Sequence, residues 1–270
     1  MAFRTSLDAG IAELVIDNPP VNALGTRAWA DLAREIERLG REPAVRVLVI
    51  RAEGRGFQCG VDVKELAADG ALIVEVNRGC YDTFGAIYDC PVPVISAVHG
   101  YCLGGGIGIA GSSDFVIAAS DATFGLPEID RGAMGAATHA MRMFGMQEAR
   151  RMLLTGEPID AAEAYRLGGL LRVVEPDALR DEALALARKI AAKSPRAVRA
   201  AKASLNGIEL IDVRRSYRFE QGFTLELYTA PDSQEARDAF IEKRDARFEP
   251  QAADGRAQRG EAERSRKGGE

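Results

Sequence analysis

Four short apolar runs separated by helical patterns place the strongest constraint on the fold of this chain. The runs are "AELVID", "VRVLVIR", "VPVISAV" and "DFVIAAS", and each has the length and the apolar, often β-branched character of a strand. Two stripes of apolar residues at helical spacing lie between them: Trp29, Leu32, Ile36 and Leu39, then Ile73, Val76, Cys80, Phe84 and Ile87. Thr26 is the expected N-cap of the first of these helices. Strands that alternate with helices predict an α/β fold with parallel-type strands.

The pattern changes after about residue 140, where strand signals fade and helical stripes continue. Leu179, Ala183, Leu186 and Ile190 form one such stripe. We therefore predict an α/β core over residues 1–195 and a helical C-terminal region over residues 196–249. Residues 250–270 contain no large apolar side chain and mix both signs of charge, which predicts a disordered tail.

Composition restricts the partners of the protein. With 35 Lys and Arg against 40 Asp and Glu, the net charge is −5, and nucleic acid is not expected as a main partner. The N-terminus lacks the apolar region of a signal peptide, and no apolar span reaches the roughly 20 residues that cross a bilayer. We expect a cytoplasmic protein without a membrane partner. The four cysteines have no C-x-x-C spacing, which argues against a zinc site or redox pair and favours buried free thiols.

Residues 100–114, "GYCLGGGIGIAGSSD", follow a predicted strand and contain three consecutive glycines. Gly106, Gly108 and Gly111 spell G-x-G-x-x-G, the pattern of a dinucleotide-binding loop. However, the pattern lies far from the N-terminus, and the next strand ends at Asp121, too early for the acidic residue expected about 20 residues further on. We interpret Gly108 and Gly111 as permitting close packing, and the triplet as exposing backbone amides at a helix start, where a phosphate or a developing oxyanion can bind.

A second glycine-containing turn favours the oxyanion. The segment "RAEGRGFQCGVDVKEL" follows the strand "VRVLVIR", and Gly60 to Asp62 mark a tight turn into a short helix. Two such turns after parallel-type strands bring two N–H donors together at one end of a sheet. One such donor typically contributes about 2.7–4 kcal/mol to stabilising an oxyanionic transition state.

Several motifs, taken in order over residues 10–248, resemble the enoyl-CoA hydratase/isomerase (crotonase) superfamily. They are "NPPVNAL", "RAEGRGFQCGVDVKEL", "PVPVISAVHGYCLGGGIGIAGSSD", "ATFGLPEIDRG", "LLTGEPIDAAEAYRLGGLLRVVE" and "DAFIEKRDARF". The resemblance implies a spiral of ββα units with a helical C-terminal trimerisation region. It further implies an acyl-CoA thioester as substrate, coenzyme A being part of that substrate with no separate cofactor or metal, and a homotrimer or a dimer of trimers.

The same resemblance implies roles for individual residues. The backbone N–H groups of Val61 and Gly105 would form the oxyanion hole for the thioester carbonyl. The segment that would line the CoA path consists of Val61, Asp62, Val63 and Lys64. Lys243 matches a basic position that in relatives reaches the CoA phosphates, although its "EKR" context is equally compatible with a solvated helix face.

Position 108 departs from the hydratase pattern. Hydratases of this superfamily carry two glutamates, one shortly after the glycine triplet and one in a "PE" motif. In this chain the first position is Gly108 and the second is Glu128. A hydration that needs paired carboxylates loses one of them. We expect burial to raise the pKa of Glu128, and the small residue at position 108 to leave room for a rigid ring substrate.

Two further groups are candidates for catalysis together with Glu128. Asp130 follows in the same segment, and His139 lies in "GAATHAM", where hydratases usually have a glutamine. An imidazole at that place acts as a base, an acid or a hydrogen-bond donor. The alternative interpretation of His139 is a helix histidine bonded to a backbone carbonyl.

Three local motifs narrow the expected reaction. "NRGC", "ATFGLPEIDRGAMGAATH" and "SYRFEQGFTLEL" most resemble the branch of bacterial enzymes that open the last steroid rings as a bicyclic CoA thioester. The implied reaction is hydrolytic, retro-Claisen cleavage of a carbon–carbon bond in a cyclic keto thioester, which needs one base and an electron sink. Two alternatives remain: an enoyl-CoA hydratase or isomerase that uses Glu128 alone, and a non-catalytic acyl-CoA binder.

Overall fold

A computed structural model describes residues 2–248, and the predicted disordered tail over residues 250–270 lies outside the described residues. Within residues 2–248 the chain forms a larger and a smaller sheet, surrounded by helices. The strands are β1 (Phe3–Asp8), β2 (Ile11–Ile16), β3 (Val47–Ala52), β4 (Val94–Val98), β5 (Tyr101–Leu103), β6 (Phe115–Ala119), β7 (Thr123–Gly125), β8 (Ile159–Asp160) and β9 (Arg172–Val174). The helices are α1 (Thr26–Arg41), α2 (Val63–Ala68), α3 (Ile73–Tyr88), α4 (Gly105–Ser112), α5 (Ala137–Thr155), α6 (Ala161–Arg166), α7 (Leu179–Ala191), α8 (Pro195–Ile208), α9 (Val213–Tyr228) and α10 (Pro231–Glu242).

The larger sheet has the strand order β1-β2-β3-β4-β6-β9, with only the β1–β2 pair antiparallel. The four predicted apolar runs form its centre as β2, β3, β4 and β6. Val47 and Val49 of β3 face α7 in one core cluster, whereas Leu48 and Ile50 belong to the cluster that contains α1 and α3. Because both faces of the sheet are buried, these strands are mainly apolar on both sides rather than alternating, with Glu13 and Arg51 as the charged exceptions.

The smaller sheet, β5-β7-β8, produces the repeated unit that the resemblance implied. The chain runs from β4 to β5 and then α4, and again from β6 to β7 and then toward α5. One turn earlier, β3 is followed by a segment in which Gln58 pairs with Cys102 of β5. The turns through β4 and β6 therefore each add one strand to each sheet before a helix, and the turn through β3 adds a single bridge, which confirms the predicted α/β spiral of ββα units.

The helix stripes predicted from the sequence are confirmed in α1 and α3, and in α7 Leu179 and Ala183 are buried whereas Leu186 and Ile190 are partly buried. The predicted cap of α1 is wrong. Thr26 is the first residue of α1, and the capping residue is Gly25, which has no side chain. The Thr26 N–H instead donates to Oε2 of Glu65 in α2 at 2.7 Å. A carboxylate from a later helix thus satisfies an amide that the local sequence leaves unpaired.

Helices α8, α9 and α10 form the predicted helical region after residue 195, and α8 is anchored on the core by a buried lysine. Lys202 is 6% exposed, and its Nζ lies 2.7 Å from a carboxylate oxygen of Asp114. The same amino group donates to the carbonyls of Ile87 and Val92. The boundary at residue 195 stays a prediction.

Two bulk expectations can be compared with the described residues. Within residues 2–248, no helix is both long and apolar enough to cross a membrane. All four cysteines are free thiols, and Cys80, Cys90 and Cys102 are buried as predicted, whereas Cys59 is only partly buried.

Candidate active site

The turn after β3 is held in shape by the side chain of Gln58. This amide donates to the Gly60 carbonyl at 2.6 Å and accepts from the Gly60 N–H at 2.8 Å. The Gly60 carbonyl also accepts from the Leu24 N–H at 3.0 Å. Because the C=O and N–H of a trans peptide point in opposite directions, the Val61 N–H points away from Leu24. This N–H donates no hydrogen bond within the described part of the chain.

The glycine triplet forms the second turn, between β5 and α4. Gly104 has a φ of 55°, which favours glycine, and its N–H donates to the Gly125 carbonyl at 3.0 Å. The N–H of Gly105, the first residue of α4, makes no hydrogen bond to any residue from 2 to 248. A Cβ placed on Gly60 would lie 3.6 Å from the Gly105 nitrogen. The two glycine turns therefore lie in contact, as the sequence predicts.

Glu128 lies against these turns on a 3₁₀ turn, Pro127–Arg131, that follows β7. Its Oε1 occupies the space where a side chain on Gly104 would begin. Its Oε2 is buried and has no hydrogen-bond partner among residues 2–248. Burial raises the pKa of Glu128 to about 7, and the nearby positive charge of Arg131 offsets only part of this effect. The direction agrees with the expectation from the sequence.

His139 lies in the first turn of α5 inside an aromatic cluster. Its ring centroid is 4.7 Å from that of Phe84 and 5.0 Å from that of Tyr217. Burial, with a further contribution from the positive charge of Arg142, lowers the pKa of His139 to about 3. Neither ring nitrogen has a hydrogen-bond partner within the described region, so the interpretation as a histidine bonded to a backbone carbonyl is wrong. A neutral imidazole with this pKa is better suited to hydrogen bonding than to proton transfer at neutral pH.

Position 108 is closed by Phe84. A Cβ on Gly108 would overlap the Phe84 ring, with Cε2 only 2.6 Å away. The expectation that this position leaves room for a rigid ring is therefore wrong, because an aromatic side chain of the protein occupies the space. The other expectation for these glycines is confirmed, since a Cβ on Gly111 would lie 2.7 Å from the Cβ of His139. Gly108 and Gly111 allow α3 and α5 to approach α4 closely.

The segment predicted to line the CoA path begins the short helix α2. Asp62 is its N-cap and accepts a hydrogen bond from the Lys64 N–H at 2.9 Å. The side chains of Val63 and Lys64 are exposed. Their position directly after the Val61 amide places them at the outer side of the glycine turns.

Asp130 and Lys243 lie at the surface, apart from the carboxyl group of Glu128. The Asp130 carboxylate is exposed and lies 2.7 Å from where a Cβ on Gly156 would be, at the end of α5. Glu128 faces Gly104 instead. Lys243 is the exposed C-cap residue of α10, with a φ of 55°.

Comparison with known proteins identifies the origin of this architecture. A family profile described as enoyl-CoA hydratase/isomerase matches residues 6–251. The chain belongs to the enoyl-CoA hydratase/isomerase family. This confirms the resemblance drawn from the sequence motifs.

Two relatives in this family are similar in sequence over nearly their whole length. The chain is 48% identical over 241 residues to a Mycobacterium tuberculosis protein named (7aS)-7a-methyl-1,5-dioxo-2,3,5,6,7,7a-hexahydro-1H-indene-carboxyl-CoA hydrolase, covering 88% of this chain and 98% of that protein. A Rhodococcus jostii protein of the same name is 48% identical over 245 residues, covering 90% and 95%. Among solved structures, an enoyl-CoA hydratase/isomerase from Xanthobacter autotrophicus Py2 superposes with a TM-score of 0.83 at 28% identity, covering 93% of this chain and 99% of that one.

The sequence analysis missed one residue that the structure places next to the start of α5. Glu220, in α9, is buried and accepts hydrogen bonds from the N–H groups of Ala137 at 2.7 Å and Thr138 at 3.0 Å. It thereby caps α5, whose own N-cap residue, Ala136, has no capping side chain. The only available signal was the presence of a glutamate in the quoted motif "SYRFEQGFTLEL", which does not reveal what the side chain caps.

Proposed function

We propose that this protein hydrolyses a carbon–carbon bond in a bicyclic keto acyl-CoA thioester of the steroid-ring degradation type. The observation that carries the proposal is the 48% identity to two hydrolases named for such a thioester, over 98% and 95% of their lengths. The site supports it, because one buried carboxyl group, Glu128, lies beside two backbone amides that have no partner within residues 2–248. A retro-Claisen cleavage requires these two functions, a base for water and hydrogen-bond donors for the enolate oxygen.

In the proposed reaction, the amides of Val61 and Gly105 bind the thioester oxygen. Glu128 takes a proton from water as the water oxygen adds to the ring ketone β to the thioester. The bond between the ketone carbon and the α carbon then breaks, and its electron pair forms a thioester enolate whose oxygen is held by the two amides. Glu128 returns the proton to carbon, and the former ketone becomes a carboxylic acid. The net change is the addition of one water, with no separate cofactor.

A single carboxyl group is sufficient for this sequence of steps. With a pKa of about 7, Glu128 is divided between its two protonation forms at neutral pH, as a group that both takes and returns a proton should be. The Phe84 ring occupies the space beside Gly108 where hydratases have their first glutamate, which disfavours the paired-carboxylate hydration of the family. The neutral His139 serves as a hydrogen-bonding group toward the acyl part, whereas Asp130, which faces the end of α5, takes no step in this reaction.

The remaining parts of the proposal concern the environment of the site. The segment Asp62, Val63 and Lys64, together with Lys243, lines the path of coenzyme A. The protein works in the cytoplasm as a homotrimer or a dimer of trimers, and nucleic acid is not a partner.

The proposal is tested by incubating the protein with a bicyclic keto CoA thioester and with crotonyl-CoA. We expect mass spectrometry to show the gain of one water with ring opening for the bicyclic thioester, and the conjugated absorbance of crotonyl-CoA to persist. Rapid hydration of crotonyl-CoA with an intact bicyclic thioester would establish the hydratase alternative. Binding of both thioesters without turnover would establish the non-catalytic binder.

A further inference from the structure

Trp29 combines complete burial with an unused hydrogen-bond donor. The side chain is 0% exposed, and its Nε1 has no hydrogen-bond partner within residues 2–248. An indole N–H is a donor only, and a buried donor left unpaired costs about 1–3 kcal/mol. In a native protein such a group is explained by a bound water, an ion or a catalytic role.

The indole lies directly beside one of the two proposed oxyanion amides. Its Cζ2 lies 2.7 Å from where a Cβ on Gly105 would be, and a single ring atom separates Cζ2 from Nε1. Trp29 also meets Phe84 edge-on, with ring centroids 5.7 Å apart. Phe84 in turn covers Gly108, one helical turn after Gly105. The indole thus lies along the face of α4 that runs from the carbonyl-binding amide toward position 108.

The backbone and the Cβ from which this indole extends are held by their surroundings. The Cβ of Trp29 lies 2.9 Å from where a Cβ on Gly79 would be, so only a glycine there leaves space for it. The Thr83 hydroxyl donates to the Trp29 carbonyl at 3.0 Å. A donor held in place before the substrate binds offers a preorganised hydrogen bond. Preorganised donors that face a developing charge usually make the largest contribution to rate acceleration.

We propose that the Trp29 Nε1–H donates to the ring ketone oxygen that becomes an alkoxide when water adds. This inference rests on the proposed function. The thioester oxygen already receives the Val61 and Gly105 amides, which match its two lone pairs. In a β-keto thioester, one carbon separates the ketone carbon from the thioester carbonyl carbon, so the ketone oxygen lies close to the thioester oxygen. Trp29 is therefore the donor that polarises the attacked ketone, and it distinguishes keto acyl groups from plain hydrocarbon ones.

Trp29 is the one tryptophan in the sequence, so a tryptophan analogue supplied during expression changes this position alone. We would replace it with benzothienylalanine, which substitutes sulfur for the N–H in a ring of similar shape. We expect kcat for ring opening to fall about 10-fold or more, equivalent to 1.4 kcal/mol, with KM little changed. Protein expressed with ordinary tryptophan in the same medium is the matched control, and Glu226→Gln, at an exposed site on α9, controls for a substitution away from the site. We expect both to keep kcat within about 2-fold of wild type.

Direct evidence for the hydrogen bond comes from the single indole N–H signal in a ¹⁵N-labelled Glu128→Gln protein, in which slow turnover leaves the ligand intact during the measurement. We expect this signal to move downfield with the bicyclic keto CoA thioester. It should stay in place with coenzyme A, and also with a deoxo ligand, the same bicyclic thioester with CH2 in place of the ketone.

Two results would overturn the inference: equal shifts with the keto and deoxo ligands, or full kcat in the benzothienylalanine enzyme. In either case the indole serves the fold alone, for example through a water shared with the Thr26 hydroxyl, which also has no partner within residues 2–248. Failure of the proposed function gives a different pattern. If wild-type protein leaves the ring closed but the indole signal responds only to the keto ligand, the ketone-binding role of Trp29 is supported and ring opening is not.

Discussion

Glu128 illustrates how a single residue can favour activity at the expense of stability. Its pKa is raised to about 7 from an ordinary value of 4.5, so between these pH values the unfolded chain loses the proton first. Glu128 therefore makes folding less favourable as pH rises through this window, by up to about 3 kcal/mol above it. We predict that Glu128→Gln raises the melting temperature at pH 8 and that the gain shrinks toward pH 5. Glu226→Gln, at an exposed site on α9, is the control. A lower melting temperature for Glu128→Gln at pH 8 would contradict the prediction.

The same ionisation governs the rate. As the base toward water, Glu128 acts as its carboxylate, so kcat for ring opening is expected to rise with pH and level off above a midpoint near 7. Glu128→Gln should lose about 10²–10⁴-fold in rate and also lose this midpoint. Initial rates between pH 5.5 and 8.5 provide the measurement. A pH-independent rate in the wild type would remove Glu128 from the role of base.

Gly108 gives a prediction about packing. Because the Phe84 ring occupies the space of a Cβ at this position, Gly108→Ala should destabilise the protein by about 1–3 kcal/mol through overpacking. Gly222→Ala is the matched control, since among residues 2–248 no atom outside the nearby backbone of α9 lies within 4 Å of the added methyl group. It should be neutral or stabilise the helix by about 0.5–1 kcal/mol. Denaturant unfolding of both variants measures the difference, and equal stability would mean that Phe84 moves aside freely.

At the scale of the element, the sequence predicted the long buried pieces and missed the short ones. Strands β2, β3, β4 and β6 have apolar runs because both sides of each are covered. The edge strand β1 is largely exposed and carries polar residues, and β8 has only two residues, Ile159 and Asp160, so neither has a pattern to detect. Such strands exist because a partner strand from elsewhere in the chain supplies their hydrogen bonds.

The candidate site was also predicted only in part from the sequence. Its glycine turns and Glu128 are set by local sequence and motif order, and they were predicted. The closure of position 108 by Phe84, and the burial of the Trp29 indole without a partner among the described residues, depend on how α1, α3 and α4 pack together. Local patterns do not contain that information, because periodicity identifies the buried face of a helix but not the atom it meets.

The cap of α5 by α9 is a link between elements that we expect to affect both stability and activity. Glu220→Gln replaces one of the two acceptor oxygens that serve the Ala137 and Thr138 amides. We predict a loss of about 0.5–2 kcal/mol in unfolding free energy, typical of a lost cap, and a lower kcat because α5 carries His139. Glu226→Gln on the exposed side of the same helix again serves as the control. If the two variants melt alike and retain full activity, the cap contributes nothing to the site.

At the scale of the whole molecule, polar anchors join the C-terminal helices to the sheet core. Lys202 of α8 bonds to Asp114, just before β6, and Gln221 of α9 donates to both the carbonyl and the side-chain oxygen of Asn77 in α3. Buried anchors of this kind are costly to break singly, since each leaves a partner without compensation. The catalytic core and the helices after residue 195 are therefore expected to unfold together.

Lys202→Met tests this coupling. Removing the amino group leaves the Asp114 carboxylate without its counter-ion beside the core, at a cost of about 3–5 kcal/mol. We predict that a single unfolding transition persists and shifts as a whole, with the same midpoint by near-UV and far-UV circular dichroism. Lys202→Met combined with Asp114→Asn should recover part of the loss, because the amide still accepts from the Val94 N–H that Asp114 now binds. Two separate transitions, the first confined to helical signal, would instead show that the C-terminal helices form an independent unit resting on the core.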